Sequence, residues 1–254
     1  MIRFRFRLRP LADVEPWGDQ RTLHWFALTD GWYWIEVDGH RLFHHPADGD
    51  TGSPSPVDHY VVRLWEDIQE VLPSLLEPVP ADLVHLMTSD HDAWYEAAAE
   101  DEEAALDWYS GHFMYTGYLL ASPDVVWWRS VTDRDVVTVD WRHRAGRGLD
   151  CAVPRQGRAS VPTEMFLRAV EEFDRELIAA MDRRIAEIEA GGLGPDIRLD
   201  LEQLRREHSQ RSGSLAAALR RAPATDWTAV REGVARIFST RMPQPQPCAT
   251  DPDH

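Results

Sequence analysis

IRFRFRLR, at residues 2–9, alternates strictly between apolar side chains and arginines. Because successive side chains of a β-strand point to opposite faces, this stretch predicts a strand with one apolar and one cationic face. Other elements must cover the apolar face, so the fold depends on which sheet partners and helices the following segments supply.

Two Asp-Gly pairs predict the sheet partners of this strand. Asp30-Gly31 separates LHWFAL (23–28) from WYWIEV (32–37), and Asp38-Gly39 separates WYWIEV from HRLFH. Glycine tolerates the positive φ that tight hairpin turns require, so both pairs are typical of hairpins. We therefore expect an antiparallel meander over residues 2–44.

The remaining segments complete an α+β plan, in which an antiparallel sheet of hairpins packs against several helices and a helical segment ends the fold. Apolar residues recur at helical spacing after Asp58 and after Thr163, and Thr225 is expected to begin a last helix. Strand-like runs such as VVTVDWRH separate the two helical regions. The predicted single domain covers 1–241, with the meander at 2–44, helices at 58–121, strands at 125–161 and helices at 163–241, followed by a disordered tail at 242–254.

The negative charge of the chain is concentrated in its middle. The net charge is −16, and residues 10–128 alone hold 3 arginines and 23 acidic residues. We expect the segment 66–107 to form an acidic surface for a basic protein partner, because complementary potential speeds encounter and sets register. A solvated face that only maintains solubility is the alternative. The acidic residues predicted to bind the partner are Glu96, Glu100, Asp101, Glu102, Glu103 and Asp107.

Two tryptophans are predicted to join this binding surface. Trp32 and Trp34 share one face of a predicted strand. Aromatic rings that a sheet leaves uncovered are common anchors for a protein partner, whereas packing into the core is the alternative.

A second pattern indicates a metal site. Histidines and aspartates cluster around one predicted hairpin and the loop after it, and imidazole with carboxylate is the ligand set of zinc, manganese or iron. The residues concerned are His40, His44, Asp48, Asp50 and His59. Histidines that bind no metal are the alternative.

Composition and motifs exclude several classes of protein. All 27 cationic residues are arginine, so lysine-based Schiff-base chemistry and a phosphate-loop lysine are excluded. The acidic balance argues against nucleic acid and anionic membranes as partners. No apolar run approaches the ~20 residues of a membrane span, and the charged start does not fit a signal peptide, so we expect a cytoplasmic protein. We expect no cofactor other than a divalent metal in the alternative above.

Several segments together resemble a family of uncharacterised actinobacterial proteins classed as a domain of unknown function. They are RFRLRPLADVEPWG, LHWFALTDGWYWIEVDGHRLF, VVRLWEDIQEVLPSLLEPVP, VVTVDWRH, SVPTEMFLRAVEEFDRELIAAM and LDLEQLRREH. The resemblance runs from Ile2 to about Phe238 and implies a bacterial cytosolic protein, but no activity, cofactor or catalytic residue. As an acidic α+β chain of this size with tryptophan-rich hairpins, the protein is also similar to bacterial toxin-immunity proteins, although no motif supports that likeness.

Two functions therefore remain open. The first, which we favour, is a non-catalytic protein-binding module, toxin-immunity-like in one form, whose acidic surface binds a basic partner. The second is a metal-dependent hydrolase in which the histidines and aspartates of the 40–59 region hold the ion and metal-bound water is the nucleophile. The sequence leaves the oligomeric state open.

Overall fold

The computed structural model describes residues 1–45, 55–89, 94, 103–119, 122–143, 156–221 and 223–239. The strands are β1 (Ile2–Leu8), β2 (Gly31–Val37), β3 (His40–Leu42), β4 (His44–His45), β5 (Ser55–Asp58), β6 (Phe113–Met114), β7 (Asp124–Val131), β8 (Asp135–Arg142) and β9 (Gln156–Pro162). The helices are α1 (Val61–Leu76), α2 (Glu103–Ser110), α3 (Thr163–Glu189), α4 (Leu201–Arg211), α5 (Ser214–Arg220) and α6 (Trp227–Ser239). The predicted α+β class is confirmed, with two antiparallel sheets.

The two sheets share the helices that cover them. The first has the order β1-β2-β5-β4 with β3 also paired to β2, and the second has the order β6-β7-β8-β9. Helix α3 contacts β1 of the first sheet and β8 and β9 of the second, while α1 contacts β2 and β7. The apolar face of β1 therefore packs on α3, where Phe4 stacks on Phe173 with ring centroids 5.7 Å apart. Among the described helices, none combines the length and the apolar character needed to cross a bilayer.

Of the two predicted Asp-Gly hairpins, one is confirmed and the other is wrong. Asp38 and Gly39 connect β2 to β3 with φ values of 47° and 84°. Gly31 instead begins β2 and pairs with Leu8 of β1. A Cβ atom on Gly31 would lie 2.3 Å from the carbonyl oxygen of Arg7, so this glycine permits a close approach of two strands and not a turn. The segment 23–28 is not a strand, and its last two residues belong to a 3₁₀ helix at Ala27–Thr29.

The predicted helical regions need one correction. The region predicted as helices at 58–121 already ends its last helix at Ser110, since Phe113–Met114 pairs with β7. Four helices, α3 to α6, occupy the region predicted as helices at 163–241. The predicted tail at 242–254 lies outside the described residues.

Adjacent tryptophans on β7 show how the core is divided. Trp127 is buried in the cluster that joins both sheets, α1 and α3. Trp128 points to the other side and is buried in a second cluster, with residues of α2 and α6. Neighbouring strand residues face opposite sides of a sheet, and helices therefore cover this sheet on both sides. The second cluster carries the site described next.

Candidate functional site

A pocket of about 280 Å³ lies between the end of α1, helix α2 and the start of α6. The residues that line it are Ser74, Glu77, Ala104, Asp107, Trp108, His112, Ala224, Thr225, Asp226 and Val230. Every charged side chain that the described residues contribute to this lining is a carboxylate. We call it the acidic pocket.

Two glycines allow the walls of the acidic pocket to approach each other. A Cβ atom on Gly233 of α6 would lie 2.8 Å from the Cβ of Ala105 on α2. A Cβ atom on Gly111, just after α2, would lie 2.5 Å from Oγ of Ser74 on α1. The Cβ of Ala105 cannot rotate away, so a larger residue at Gly233 would push α6 from α2, whereas a larger residue at Gly111 would first displace the hydroxyl of Ser74.

Hydrogen bonds hold two of the three carboxylates in place. Oγ1 of Thr225 donates to Oε2 of Glu77 at 2.5 Å. Oδ1 of Asp226 accepts from the backbone N–H groups of Thr228 and Ala229, at 3.0 and 3.1 Å, and so caps α6. The prediction that Thr225 begins this helix is therefore wrong by one residue. Asp226 is the N-cap of α6, and the side chain of Thr225 forms a hydrogen bond with Glu77 instead.

The third carboxylate, Asp107, has no counterion in the described chain. It lies on the exposed side of α2, and none of the described arginines forms an ion pair with it. An unpaired carboxylate at the mouth of an acidic pocket favours a cation from outside the chain.

His112 is buried at the side of the acidic pocket, with 1% of its surface exposed. Its Nδ1 lies 2.9 Å from the carbonyl oxygen of Trp127, and its own carbonyl accepts from Trp127 N–H at 2.8 Å. A carbonyl can only accept, so Nδ1 carries the proton and Nε2 is an acceptor. Burial lowers the pKa of His112 to about 4, which keeps the ring neutral.

Aromatic rings complete the lining. Trp108 of α2 packs edge to face against Trp227 of α6, with centroids 6.1 Å apart, and against His112 at 5.7 Å. Nε1 of Trp108 is buried without a hydrogen-bond partner among the described residues. Indole faces attract guanidinium and ammonium groups through the ring quadrupole.

The chemistry of the acidic pocket therefore fits an organic cation. Three carboxylates and one neutral imidazole offer acceptors, and guanidinium and ammonium groups are pure donors. Among the described residues, no group of three or more His, Cys, Asp or Glu side chains is arranged to hold a metal ion. A single arginine or lysine side chain of another molecule is the ligand that this geometry suits.

Only part of the predicted acidic cluster can be located. Glu103 and Asp107 lie on the exposed side of α2, whereas Glu96, Glu100, Asp101 and Glu102 lie outside the described residues. Arginines from both ends of the chain neutralise other carboxylates: Asp58 pairs with Arg9 (2.5 Å), Glu66 with Arg211 (2.8 Å) and Asp82 with Arg231 (2.7 Å). In the described part of the segment 66–107, the carboxylates without such an ion pair are Asp67, Glu70, Glu77, Glu103 and Asp107.

The predicted tryptophan anchors lie on the cationic face of β1 and β2. Trp32 is half-buried, with the guanidinium groups of Arg7 and Arg9 at 4.4 and 4.6 Å from its ring. Trp34 is also half-buried, and its Nε1 donates to Oε1 of Glu36 at 3.1 Å. Trp32 therefore lies beside two arginines, Trp34 is the register partner of Arg5 on β1, and the described lining of the acidic pocket includes neither ring.

The histidines of the predicted metal site each contact a different aromatic ring. His40 lies 5.4 Å from Trp141, His44 lies 5.9 Å from Trp34, and His59 stacks on Tyr118 at 5.0 Å, measured between centroids. The predicted ligands Asp48 and Asp50 lie outside the described residues. The metal site stays a prediction, which metal analysis of protein purified without chelator would test.

A buried carboxyl that the sequence analysis missed lies near His59. Asp67, in the middle of α1, is 8% exposed and accepts a hydrogen bond from the hydroxyl of Tyr118. Tyr33 lies 3.4 Å from Tyr118 through their hydroxyl oxygens. Burial raises the pKa of Asp67 to about 7, although the Tyr118 hydrogen bond opposes the shift.

Four further pocket residues were not predicted to belong to a site: Glu77, His112, Trp108 and Asp226. One local signal was available, because Asp226 directly precedes an amphipathic run and aspartate is a strong N-cap. The others are far apart in the chain and meet only through the packing of α1, α2 and α6.

Comparison with known proteins identifies a family and no activity. A model of a family of unknown function, DUF5984, matches residues 3–233. No curated protein and no solved structure gives a significant match. The chain belongs to the DUF5984 family.

Proposed function

We propose that this DUF5984 protein is a non-catalytic binding module that holds a basic protein partner at the acidic pocket. The observation that carries the proposal is the composition of the pocket wall, where each charged side chain among the described residues is a carboxylate and His112 is a neutral acceptor. In this proposal an arginine or lysine of the partner enters the pocket and the exposed acidic side of α2 contacts its surroundings.

The energetics of the pocket support a cationic side chain more than a neutral one. Hydrogen bonds to charged groups contribute about 1.5–3 kcal/mol each, and a cation over an indole ring adds roughly 0.5–2 kcal/mol. Asp107 has no counterion in the described chain to displace, so an incoming cation gains its interaction without breaking an internal ion pair. Glu77 and Asp226 are already oriented by Thr225 and by the N–H groups of α6, so little ordering is needed.

The biological setting is part of the proposal. We place the protein in the cytoplasm of an actinobacterium, because an arginine-only set of cations fits a GC-rich genome. An immunity-like role, in which the module masks a basic toxin, is one form of this function. A toxin gene beside the gene for this chain would support that form, and a biosynthetic cluster would contradict it.

A matched pair of probes tests the proposal. The first is a glycine-serine peptide with one central arginine, and the second carries citrulline, a neutral near-isostere of arginine, at that position. We expect the arginine peptide to bind in titration calorimetry and to weaken by about tenfold between roughly 50 and 500 mM salt, because exposed charge pairs are screened. The citrulline peptide should bind far more weakly. Equal binding of both peptides, or indifference to salt, would contradict the proposal.

A further inference from the structure

Strand β1 lies at one end of the first sheet, and no other described strand pairs with its outer edge. Beside that edge, Phe6 and Leu8 of β1 form one wall of a groove of about 720 Å³, and helix α3 forms the other. The groove and the strand edge together are called the β1 edge groove.

The backbone of β1 presents unpaired groups along this edge. Arg9 N–H donates to the carbonyl of Asp30 at 2.8 Å, and Asp38 N–H donates to the carbonyl of Met1 at 3.0 Å. Odd-numbered residues of β1 therefore exchange hydrogen bonds with β2. In an antiparallel pair the alternate residues direct N–H and C=O to the other side, so those of Phe4, Phe6 and Leu8 face the outer edge. Such an edge is a template for an added strand.

Helix α3 fixes the position of the groove. The groove is lined on the α3 side by the small residues Ala179 and Ala180. Arg184, which is 7% exposed, donates from its guanidinium to the carbonyl oxygens of Leu28 and Arg9. These bonds tie α3 to the end of β1, so the groove is formed before any partner arrives.

The groove itself carries mixed charge, because Arg175 and Arg183 line it together with Glu176 and Glu187. The other face of β1 is cationic, since Arg3 and Arg7 are exposed and form no ion pair within the described residues. A second copy of the chain would place arginine opposite arginine if two β1 edges paired, and like charges directly opposite are destabilising. Charge complementarity therefore favours an acidic segment of a different protein.

We propose that the β1 edge groove binds an extended segment of another protein, with alternating acidic and apolar side chains, as an added β-strand. The apolar side chains would lie over Phe6, Leu8 and the α3 alanines, and the acidic side chains over Arg3 and Arg7, because side chains alternate between the two faces. The groove is separate from the acidic pocket, so neither proposal depends on the other.

A synthetic heptapeptide of alternating glutamate and valine is the probe. We expect it to bind the full chain in fluorescence anisotropy, and a lysine-valine heptapeptide to bind about tenfold more weakly or worse. Arg7→Glu should weaken the glutamate-valine peptide by roughly the same factor, whereas the control Arg134→Glu, at an exposed position outside the groove, should leave it unchanged. Circular dichroism establishes that both variants fold. Equal binding of the two peptides, or equal effects of the two variants, would overturn the proposal.

Two measurements on backbone amides distinguish an added β-strand from a peptide held by charge attraction alone. Two further peptides carry N-methyl groups, one on its glutamate amides and the other on its valine amides. Only one of these sets can face β1, so one peptide should lose binding and the other should keep it. Binding of the unmethylated peptide should also slow hydrogen exchange at the amides of Phe6 and Leu8. Retention or loss of binding by both methylated peptides, or no slowing at these amides, would contradict an added strand.

Discussion

The hydroxyl of Tyr118 donates a 2.5 Å hydrogen bond to Oδ2 of Asp67, a carboxyl buried in the middle of α1. This bond ties the segment after β6 to the helix that contacts both sheets. Glu66 and Glu70 lie on the same helix and raise the pKa of Asp67 further, while Arg63 opposes them. The pair is therefore a buried titratable contact.

The pH dependence of stability follows from the raised pKa of Asp67. Its pKa is about 7 in the folded chain and near 4 in the unfolded chain, so the folded state binds more protons between these values. Stability from this group is present below about pH 4 and is lost as pH rises towards 7. The Asp67→Asn variant cannot ionise at this position. The free energy of unfolding of the variant, minus that of wild type, should therefore be larger by about 2–4 kcal/mol at about pH 8 than at about pH 5.

Urea unfolding of both proteins at the two pH values measures this gain. Subtracting the wild-type free energy of unfolding from that of the variant cancels the contributions of all other titrating groups, which the two proteins share. Parallel pH profiles for wild type and Asp67→Asn would show that Asp67 is ionised in the folded chain at both pH values.

Arg184 should contribute much more to stability than its neighbour Arg183. Replacing Arg184 by methionine leaves the carbonyl oxygens of Leu28 and Arg9 without their donor, which costs about 1–3 kcal/mol for each buried group. We expect Arg184→Met to lose about 2–4 kcal/mol in the free energy of unfolding. Arg183→Met, at an exposed position, is the matched control and should change it by less than about 0.5 kcal/mol. Similar losses for both would contradict this role of Arg184.

Gly233 should be intolerant of even a methyl group. In Gly233→Ala the new Cβ would meet Ala105 at 2.8 Å, so α6 must shift away from α2 at a cost of roughly 1–3 kcal/mol. Gly213→Ala is the control, since its Cβ would have 3.9 Å to the nearest atom, the carbonyl oxygen of Gln210. Thermal unfolding should show a lower Tm for the first variant and an unchanged or higher Tm for the second. A Tm for Gly233→Ala at the wild-type value would show that α2 and α6 are not held at this spacing.

Asp107 should matter for binding and not for folding. Asp107→Asn removes the carboxylate that lacks a counterion in the described chain, so binding of the arginine peptide should weaken by about tenfold. Glu171→Gln makes the same charge change at an exposed position on α3, which does not line the pocket, and should have little effect. Equal weakening by both variants would mean that net charge alone attracts the peptide.

The elements that the sequence predicted correctly depend on local patterns. The alternation in β1 and the positive-φ turn at Asp38 and Gly39 both involve residues close in the chain. Gly31 was misassigned because its constraint is the carbonyl of Arg7 on another strand. Local composition cannot distinguish a glycine for a turn from a glycine for close strand approach.

Of the residues that line the acidic pocket, only Asp107 was among the predicted binding residues. The charge run indicated an acidic surface, but it could not show that Arg211 and Arg231, from the last helices, pair with Glu66 and Asp82. Nor could it bring Glu77 next to Thr225, since these residues meet through the packing of α1 on the segment before α6. Long-range packing therefore decides which carboxylates remain available to a partner.

The most direct test of the acidic pocket is the indole N–H resonance of Trp108, identified by its loss in Trp108→Phe. Trp108 lines the pocket and its N–H has no partner in the described chain, so we expect a guanidinium bound against this residue to shift the N–H resonance. On titration with N-acetyl-arginine amide, we predict a saturable shift of this resonance that Asp107→Asn weakens and Glu171→Gln does not. An unchanged Trp108 resonance at saturating ligand would contradict the proposed function.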